Sequence, residues 1–309
     1  MPPVPTFRSS GDVTADRRYS YARAAYDEQD FPAAADLARQ ILDLVPGFAP
    51  AHGLLGRAEA ALGREGAAVA ALRRALELEP EDTLGVGIDL ARLGALGPEA
   101  AMTGAYVRAL FDDYAPRFER HLVRNLNYLG PDLIADAVHS AAIRRFRNTR
   151  FDHVLDLGCG TGLMGKALNG AFDSIEGVDL SPRMLAQARK TCLYRRLHEG
   201  ELVAFLKEQP DGAADLVVAA DVFVYMAALD EVFREAYRVL GRGAFFAFTV
   251  QAWDGEGFGL GADSRYAHAR SYLRDLATAT GFSTLSLDPV SVRQDRGEDV
   301  AGFLAVLER

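Results

Sequence analysis

A doubly wound α/β sheet preceded by an all-α helical-repeat region is the fold class that this sequence predicts, on three observations. Residues 15–48 and 49–82 form two blocks of 34 residues with alanines and prolines at matching offsets. From residue 151 onward, apolar runs of strand length alternate with amphipathic stretches. Between the first such run and the helix after it stands "DLGCGTG" (156–162), a glycine-dense turn.

The two blocks read "ADRRYSYARAAYDEQDFPAAADLARQILDLVPGF" and "APAHGLLGRAEAALGREGAAVAALRRALELEPED". Ala34 matches Ala68, and Pro46 matches Pro80. Each block predicts two helices joined by a short turn, "EQDF" or "GREG". Alanines let helices approach closely, and the proline closes the second helix because its ring clashes with the preceding turn and it lacks an N–H. A helix pair repeating at a fixed period is a solenoid signature. A third block starts at Thr83 and decays by "LGALGPEA". It predicts a capping helix over the last apolar face. So short an array has two readings. One is a groove for a peptide or protein partner. The other is a helical extension that stabilises the chain or joins two copies into a homodimer.

The expected domains are a disordered lead-in (1–14), the helical-repeat domain (15–100), a helical connector (101–150) and the α/β domain (151–309). The connector reads as helical over 104–147, with breaks at Pro116 and at Gly130–Pro131. In the α/β domain, "HVLDL" (153–157) predicts a strand, followed by a helix across "LMGKAL". "SIEGVDL" (174–180) predicts the next strand, with a helix from Pro182. A short strand near Tyr194–Leu197 precedes a helix across "LVAFLKE". "ADLVVAA" (214–220) predicts a strand, followed by a helix across "LDEVFREAYRVL". "GAFFAFTV" (243–250) is the next strand, and a helix is expected across "AHARSYLRDLATAT". "STLSLDPV" and "VAGFLAVLE" close the chain as strands. Such alternation predicts a mostly parallel sheet with right-handed crossovers. The last two strands have no helix between them, so they are expected to pair as an antiparallel edge.

Composition excludes several classes of function. The net charge of −9 disfavours a nucleic-acid partner, since phosphate backbones are repelled. "RRFRNTR" (144–150) is a dense basic run and reads as a solvated helix end or linker. No stretch approaches the roughly 18 apolar residues of a membrane span. "MPPVPTFRSSGD" lacks the basic and apolar regions of a secretion signal. The two cysteines, Cys159 and Cys192, suggest no disulfide framework, so a reducing cytoplasm is the expected compartment. The six histidines, His52, His121, His139, His153, His198 and His268, share no ligand spacing, so no metal is expected.

In an open α/β sheet, ligands sit at the carboxyl ends of the strands, where "DLGCGTG" lies. A dinucleotide fingerprint reads G-x-G-x-x-G; here the order is Gly158-Cys159-Gly160-Thr161-Gly162, preceded by Asp156. An acid at the strand end suits a ligand with a cationic amine and repels pyrophosphate. Asp179 ends the next strand, 21 residues after Gly158, where a carboxylate can hold both ribose hydroxyls.

"VLDLGCGTG" followed by "GVDLS" resembles the seven-stranded, Rossmann-like class I S-adenosylmethionine-dependent methyltransferases, over residues 151–309. The resemblance implies S-adenosyl-L-methionine as cofactor. It places Asp156, Gly158, Cys159, Gly160 and Gly162 along the methionine moiety, Asp179 on the ribose, and Leu180 and Met184 near the adenine. Glu201 and Leu202 fall at the adenine edge, where the family usually carries an aspartate in place of Glu201. Cys159 reads as a small turn residue rather than a nucleophile. Adding the repeats and "LFDDYAPRFERHLVRNLNYLGPDLI", nearly the whole chain resembles bacterial TPR-repeat-containing methyltransferases. In related enzymes the "FDxYAxxF" helix folds over the cofactor, which implies Tyr114 beside it. Phe111 and Phe118 read as a core-facing stripe.

The family's acceptor pocket is shaped by the ends of the fourth and fifth strands and by covering helices. That implies Asp221, on the donor side, with Phe223, Tyr225, Gln251, Trp253, Arg265, Tyr266 and Tyr272. Tyr225 and His268 are the catalytic candidates, His268 as a base because an ordinary histidine titrates near neutrality. Arg265 and Arg293 are suited to hold a carboxylate bidentately, or else are surface arginines. The expected function is methyl transfer to a small-molecule acceptor by in-line displacement. Two alternatives stand beside it: a protein methyltransferase whose repeats recruit the substrate, and a cofactor-binding interaction protein without transfer.

Overall fold

The computed structural model describes residues 9–116, 118, 128–295 and 298–309, and divides the chain into two compact units, Met1–Leu110 and Phe111–Arg309. His121 lies outside the described residues. No helix among the described residues is long and apolar enough to cross a membrane.

The first unit is helical: α1 (Val13–Asp27), α2 (Phe31–Leu44), α3 (Ala49–Ala61), α4 (Glu65–Leu78) and α5 (Val86–Arg92), with α6 (Gly104–Tyr114) leading into the second unit. Each of α1 to α4 packs on the next in sequence. Asp12 caps α1 by accepting from the Thr14 and Ala15 N–H groups, so helix already runs at Val13 and Thr14, inside the stretch expected as lead-in. Asp30 caps α2 through the Ala33 N–H, with Pro32 in the first turn where its missing N–H costs nothing. The matched alanines are interface residues: Ala34 and Ala68 are both fully buried. At Gly56 a Cβ would stand 2.5 Å from Leu72, so α3 and α4 meet there only because a hydrogen replaces a side chain.

The second unit begins with α7 (Gly130–Arg144). It continues as β1 (Phe151–Leu157), α8 (Leu163–Ala167), β2 (Phe172–Asp179), α9 (Pro182–Ala188), β3 (Arg196–Glu199), α10 (Leu202–Glu208) and β4 (Ala214–Ala219). Then come α11 (Asp230–Val239), β5 (Leu240–Trp253), β6 (Phe258–Leu260), β7 (Tyr266–Ala269), α12 (Arg270–Thr280), β8 (Ser283–Asp295) and β9 (Glu298–Glu308). The strands form one mixed sheet ordered β3-β2-β1-β4-β5-β7-β6, with β9 pairing β5 and β8. Strands β1 to β5 are parallel neighbours, while β9 runs antiparallel to both β5 and β8, as a closing pair without an intervening helix requires. Successive residues of a strand face opposite sides, and the core divides accordingly. Leu155, Phe246 and Phe248 pack with Phe233 and Leu273 on one face; Val154, Ile175 and Phe245 pack with Ile134 and Val138 on the other.

The sheet has nine strands, not seven. The extra pair is the β6–β7 hairpin, in the segment expected to open a helix at Ala267. Its turn is built by Gly261 and by Ser264, at φ +64°, whose N–H donates to the Gly261 carbonyl. Tyr266 to Ala269 are all buried, and Ala267, His268 and Ala269 register with Gln251, Ala252 and Trp253 of β5. Pairing with β5 overrides helical periodicity, and α12 starts only at Arg270.

Phe233 on α11 is fully buried against Phe246, Phe248 and Phe282. Phe233→Ala is expected to cost about 3–5 kcal/mol, read as an earlier unfolding transition of the second unit in urea.

Candidate functional site

The site starts where β1 ends. Asp156 pairs in register with Gly177 of β2 and Val218 of β4, so its carboxyl is set into the middle of the sheet and is only 1% exposed. The chain then turns through Gly158, Gly160 and Gly162 at φ +65°, +54° and +89°, a left-handed path that a side chain would strain. Asp179, at the end of β2, ties this turn down. Its two oxygens accept the N–H of Gly160 (2.9 Å) and of Ser181 (2.8 Å). Burial pushes Asp179 up to about 6. Burial pushes Asp156 up to about 7, the Asp179 charge adds to the rise, and the Tyr194 hydroxyl, donating at 2.6 Å, opposes it.

The last turn of α6, with Phe118 beyond it, covers the turn. Asp112 accepts from the Ser181 hydroxyl at 2.6 Å, and its carbonyl accepts from Arg183 at 3.2 Å. Ser181 in turn caps α9 by accepting the Met184 N–H. Phe118 comes within 4.0 Å of where a Gly160 Cβ would stand. Phe111, Tyr114 and Phe118 make one aromatic cluster, and Phe111 meets Tyr225 edge-on at 5.2 Å. The three rings thus lead from the glycine turn to the region after β4.

There the chain turns sharply. Asp221 has φ +57°, unusual for a residue with a side chain, and its N–H donates to Thr249 on β5. The buried Arg293 of β8 donates to Asp221 at 2.5 Å and to Gln251 at 3.1 Å, with Asp263 at 3.6 Å. Tyr225 lies half-buried beyond Asp221, with the Arg265 guanidinium 5.8 Å from its ring centre. Burial raises the Tyr225 phenol above its ordinary value, so it remains a hydrogen-bond donor at neutral pH.

Comparison with known proteins bears on this strand-end constellation. The Methyltransferase domain family matches residues 154–243, from β1 through the start of β5. The second unit thus carries a match to a methyltransferase domain over these residues. Curated relatives agree. A malonyl-[acyl-carrier protein] O-methyltransferase of Geobacter sulfurreducens is 35% identical over 45% of this chain and 48% of its own length. Its Legionella pneumophila counterpart is 36% identical over 39% of this chain and 44% of its own. A Streptomyces fradiae dTDP-3-amino-3,6-dideoxy-alpha-D-glucopyranose N,N-dimethyltransferase is 36% identical over 25% and 30%. The match therefore spans about half the length, or less, of these relatives.

S-adenosylmethionine is the cofactor of this methyltransferase domain, and the residues fit it. Around Gly160 a Cβ would meet nothing closer than 4.0 Å, so the turn leaves an open cradle. The Thr161 hydroxyl beside it is buried with no hydrogen-bond partner among the described residues. Asp156 is a buried acid without a cationic partner among the described residues, as an ammonium-bearing ligand requires. Among the described residues no cluster of His, Cys, Asp or Glu is arranged to hold a metal.

The other expected side chains of the second unit differ in burial. Cys159 turns inward, its sulfur against Gly177, and Gly162 makes room for Tyr194 and Thr191. Met184 is fully buried in the fold, while Glu201 is exposed at the start of α10 with Leu202 beneath it. Leu180 is half-buried beside Asp179. Phe223 is fully buried against Phe246 and Phe248, so it is a core residue and not an acceptor contact. Tyr266 is 1% exposed and likewise belongs to the core. Trp253 packs against Gly255 and, on β6, Gly259, where a side chain would collide with it.

His268 is corrected in place and in role. It stands within β7, fully buried, and its Nε2–H donates to the Ala227 carbonyl. Burial pushes it down to about 4. A wholly enclosed imidazole of such low basicity is a poor proton acceptor near neutrality. Arg293 is no surface arginine: Asp221 and Gln251 occupy its guanidinium. The domain also uses residues that the sequence did not single out. Ser181 carried a signal, a serine before the first-turn proline of a helix. Asp112 and Tyr194 carried none, because each acts on a residue distant in sequence.

Both raised acids have a consequence for stability. Asp156 ionises at about 7 in the fold against 3.8 ordinarily, so its contribution is complete below 3.8 and is lost as pH rises through about 7. Without donor, Asp156→Asn is expected to escape this loss. Its melting temperature should gain on that of the wild type as pH is raised from about 4 to about 7, up to roughly 1 kcal/mol per pH unit. Melting curves that stay parallel over that range would contradict the assignment.

Proposed function

We propose that this protein transfers the methyl group of S-adenosylmethionine to a small-molecule acceptor bound between Tyr225, Arg265, Gln251 and the Asp221–Arg293 pair. The observation that carries the reading is the make-up of that region: aromatic rings of Phe111 and Tyr225 beside the ion-paired set of Asp221, Arg293 and Asp263. Such a mix of apolar walls and a few fixed polar groups suits a small ligand better than a flat protein surface.

The donor supplies an electrophilic methyl on a sulfonium, and the chain has to bind and align. Asp156 holds the ammonium, Asp179 the ribose hydroxyls, and the N–H groups of the Gly158–Gly162 turn the carboxylate. Leu180 and Leu202 face the adenine. Tyr114 and its neighbours Phe111 and Phe118 keep water out. Arg293 fixes Asp221 at the border between donor and acceptor, and Tyr225 and Arg265 orient the acceptor by hydrogen bonding and charge. The relatives named above for O- and N-methylation support transfer to a carboxylate or an amine.

We read the first unit as two tetratricopeptide-type repeats with α5 as their cap. Its matched Ala34 and Ala68 keep open a second reading, in which the repeats recruit a protein substrate.

The test is a transfer screen with the full chain, using methyl-labelled donor and a lysate split into small-molecule and protein fractions. Label is expected in the small-molecule fraction; label confined to protein would replace the small-molecule reading with the recruitment one. With the acceptor in hand, Tyr225→Phe should lower kcat/KM up to about tenfold, the effect of one neutral hydrogen bond, with donor affinity unchanged.

A further inference from the structure

Tyr194 lies outside the family's glycine turn and outside the acceptor region, yet three glycines are shaped around it. A Cβ at Gly162 of the turn would stand 3.1 Å from its ring, one at Gly165 of α8 2.9 Å, and one at Gly177 of β2 3.0 Å. Three different elements thus give up side chains to make one socket. Inside it, the hydroxyl is engaged twice: it accepts the Gly165 N–H at 3.1 Å and donates to Asp156 at 2.6 Å. Burial and the neighbouring Asp156 charge push the phenol well above its ordinary value, so it stays protonated and donates throughout the working range.

We propose that Tyr194 is a positioning residue for the methyl donor: through its hydroxyl it holds the Asp156 carboxylate ready for the donor's ammonium and locks that carboxylate to the first turn of α8. The inference rests on the reading of Asp156 as the ammonium's receptor. A buried carboxylate with a single short donor is fixed in direction, and the donor favours its ionised form. The other titratable groups facing Asp156 are Asp179, whose charge opposes ionisation, Cys159 and the Tyr128 phenol. Cys159 and Tyr128 are both raised by burial and stay neutral, so Tyr194 is the group that favours the carboxylate.

The experiment is calorimetric titration of the full chain with S-adenosylhomocysteine, which carries the same amino-acid end and does not turn over, across pH 6–9. Wild-type affinity is expected to rise with pH through the ionisation of Asp156, at about 7. Tyr194→Phe keeps the ring in its socket and removes the hydroxyl. Its affinity at neutral pH should fall roughly tenfold, and its pH profile should move upward by roughly one unit, with the loss shrinking at the alkaline end. Asp156→Asn should bind weakly with no rise through pH 7. If Tyr194→Phe binds like wild type with the same pH profile while Asp156→Asn behaves as stated, the ring is packing only and the proposal falls. If Asp156→Asn keeps wild-type affinity and profile, the reading of Asp156 falls and takes the proposal with it.

Discussion

One carboxylate holds the donor end of the second unit together. Asp179 accepts a backbone N–H with each oxygen, from Gly160 in the turn after β1 and from Ser181 at the start of α9. Without that clamp, Gly160 in the middle of the left-handed path loses its tie to the end of β2, and Ser181 at the cap of α9 loses the partner of its N–H. Other contacts follow in series. Ser181 caps α9 and donates to Asp112, and Asp112 anchors the residues that carry Phe111, Tyr114 and Phe118 over the turn. The group expected to meet the ribose is therefore also the group that shapes its own surroundings, which helps to explain its tolerance of partial desolvation.

The acceptor side is organised on a different physical basis. Its charges are compensated in place, Arg293 by Asp221 and Asp263, and its backbone is strained at Asp221. A buried guanidinium is costly unless its donors are satisfied, and here a carboxylate and an amide satisfy them. The strain at Asp221 persists because Thr249 receives its N–H and Arg293 fixes its side chain. The donor side thus offers two buried acids with no cationic partner among the described residues, and the acceptor side offers acids already paired with a guanidinium.

Much of the donor side was legible in the sequence because its residues are close in the chain. Asp156, the glycine turn and Asp179 fall within one strand–helix–strand unit, so spacing alone reports their geometry. Register across the sheet is what spacing does not report. The β6–β7 hairpin looked like a helix start because Ala267 to Thr280 has helical composition, and only pairing with the end of β5 makes Tyr266–Ala269 a strand. His268 changed meaning with it, from a helix-end base to a buried neutral ring. Arg293 reaches Asp221 across 72 residues, and Tyr194 reaches Asp156 across 38, separations at which no local pattern survives. Phe223 misled in another way: it follows a strand end, as an acceptor residue would, but α11 and β5 bury it.

The position of Arg293 in the chain also sets an order of assembly. A chain made from its N-terminus can complete the turn, Asp179 and the Tyr194 socket once β1 to β4 have paired. The counter-ion of Asp221 arrives only with β8, after nearly all of the sheet has been synthesised. Until then the strained turn at Asp221 lacks its clamp, so in a nascent chain the half of the site proposed to face the donor matures first and the half proposed to select the acceptor matures last.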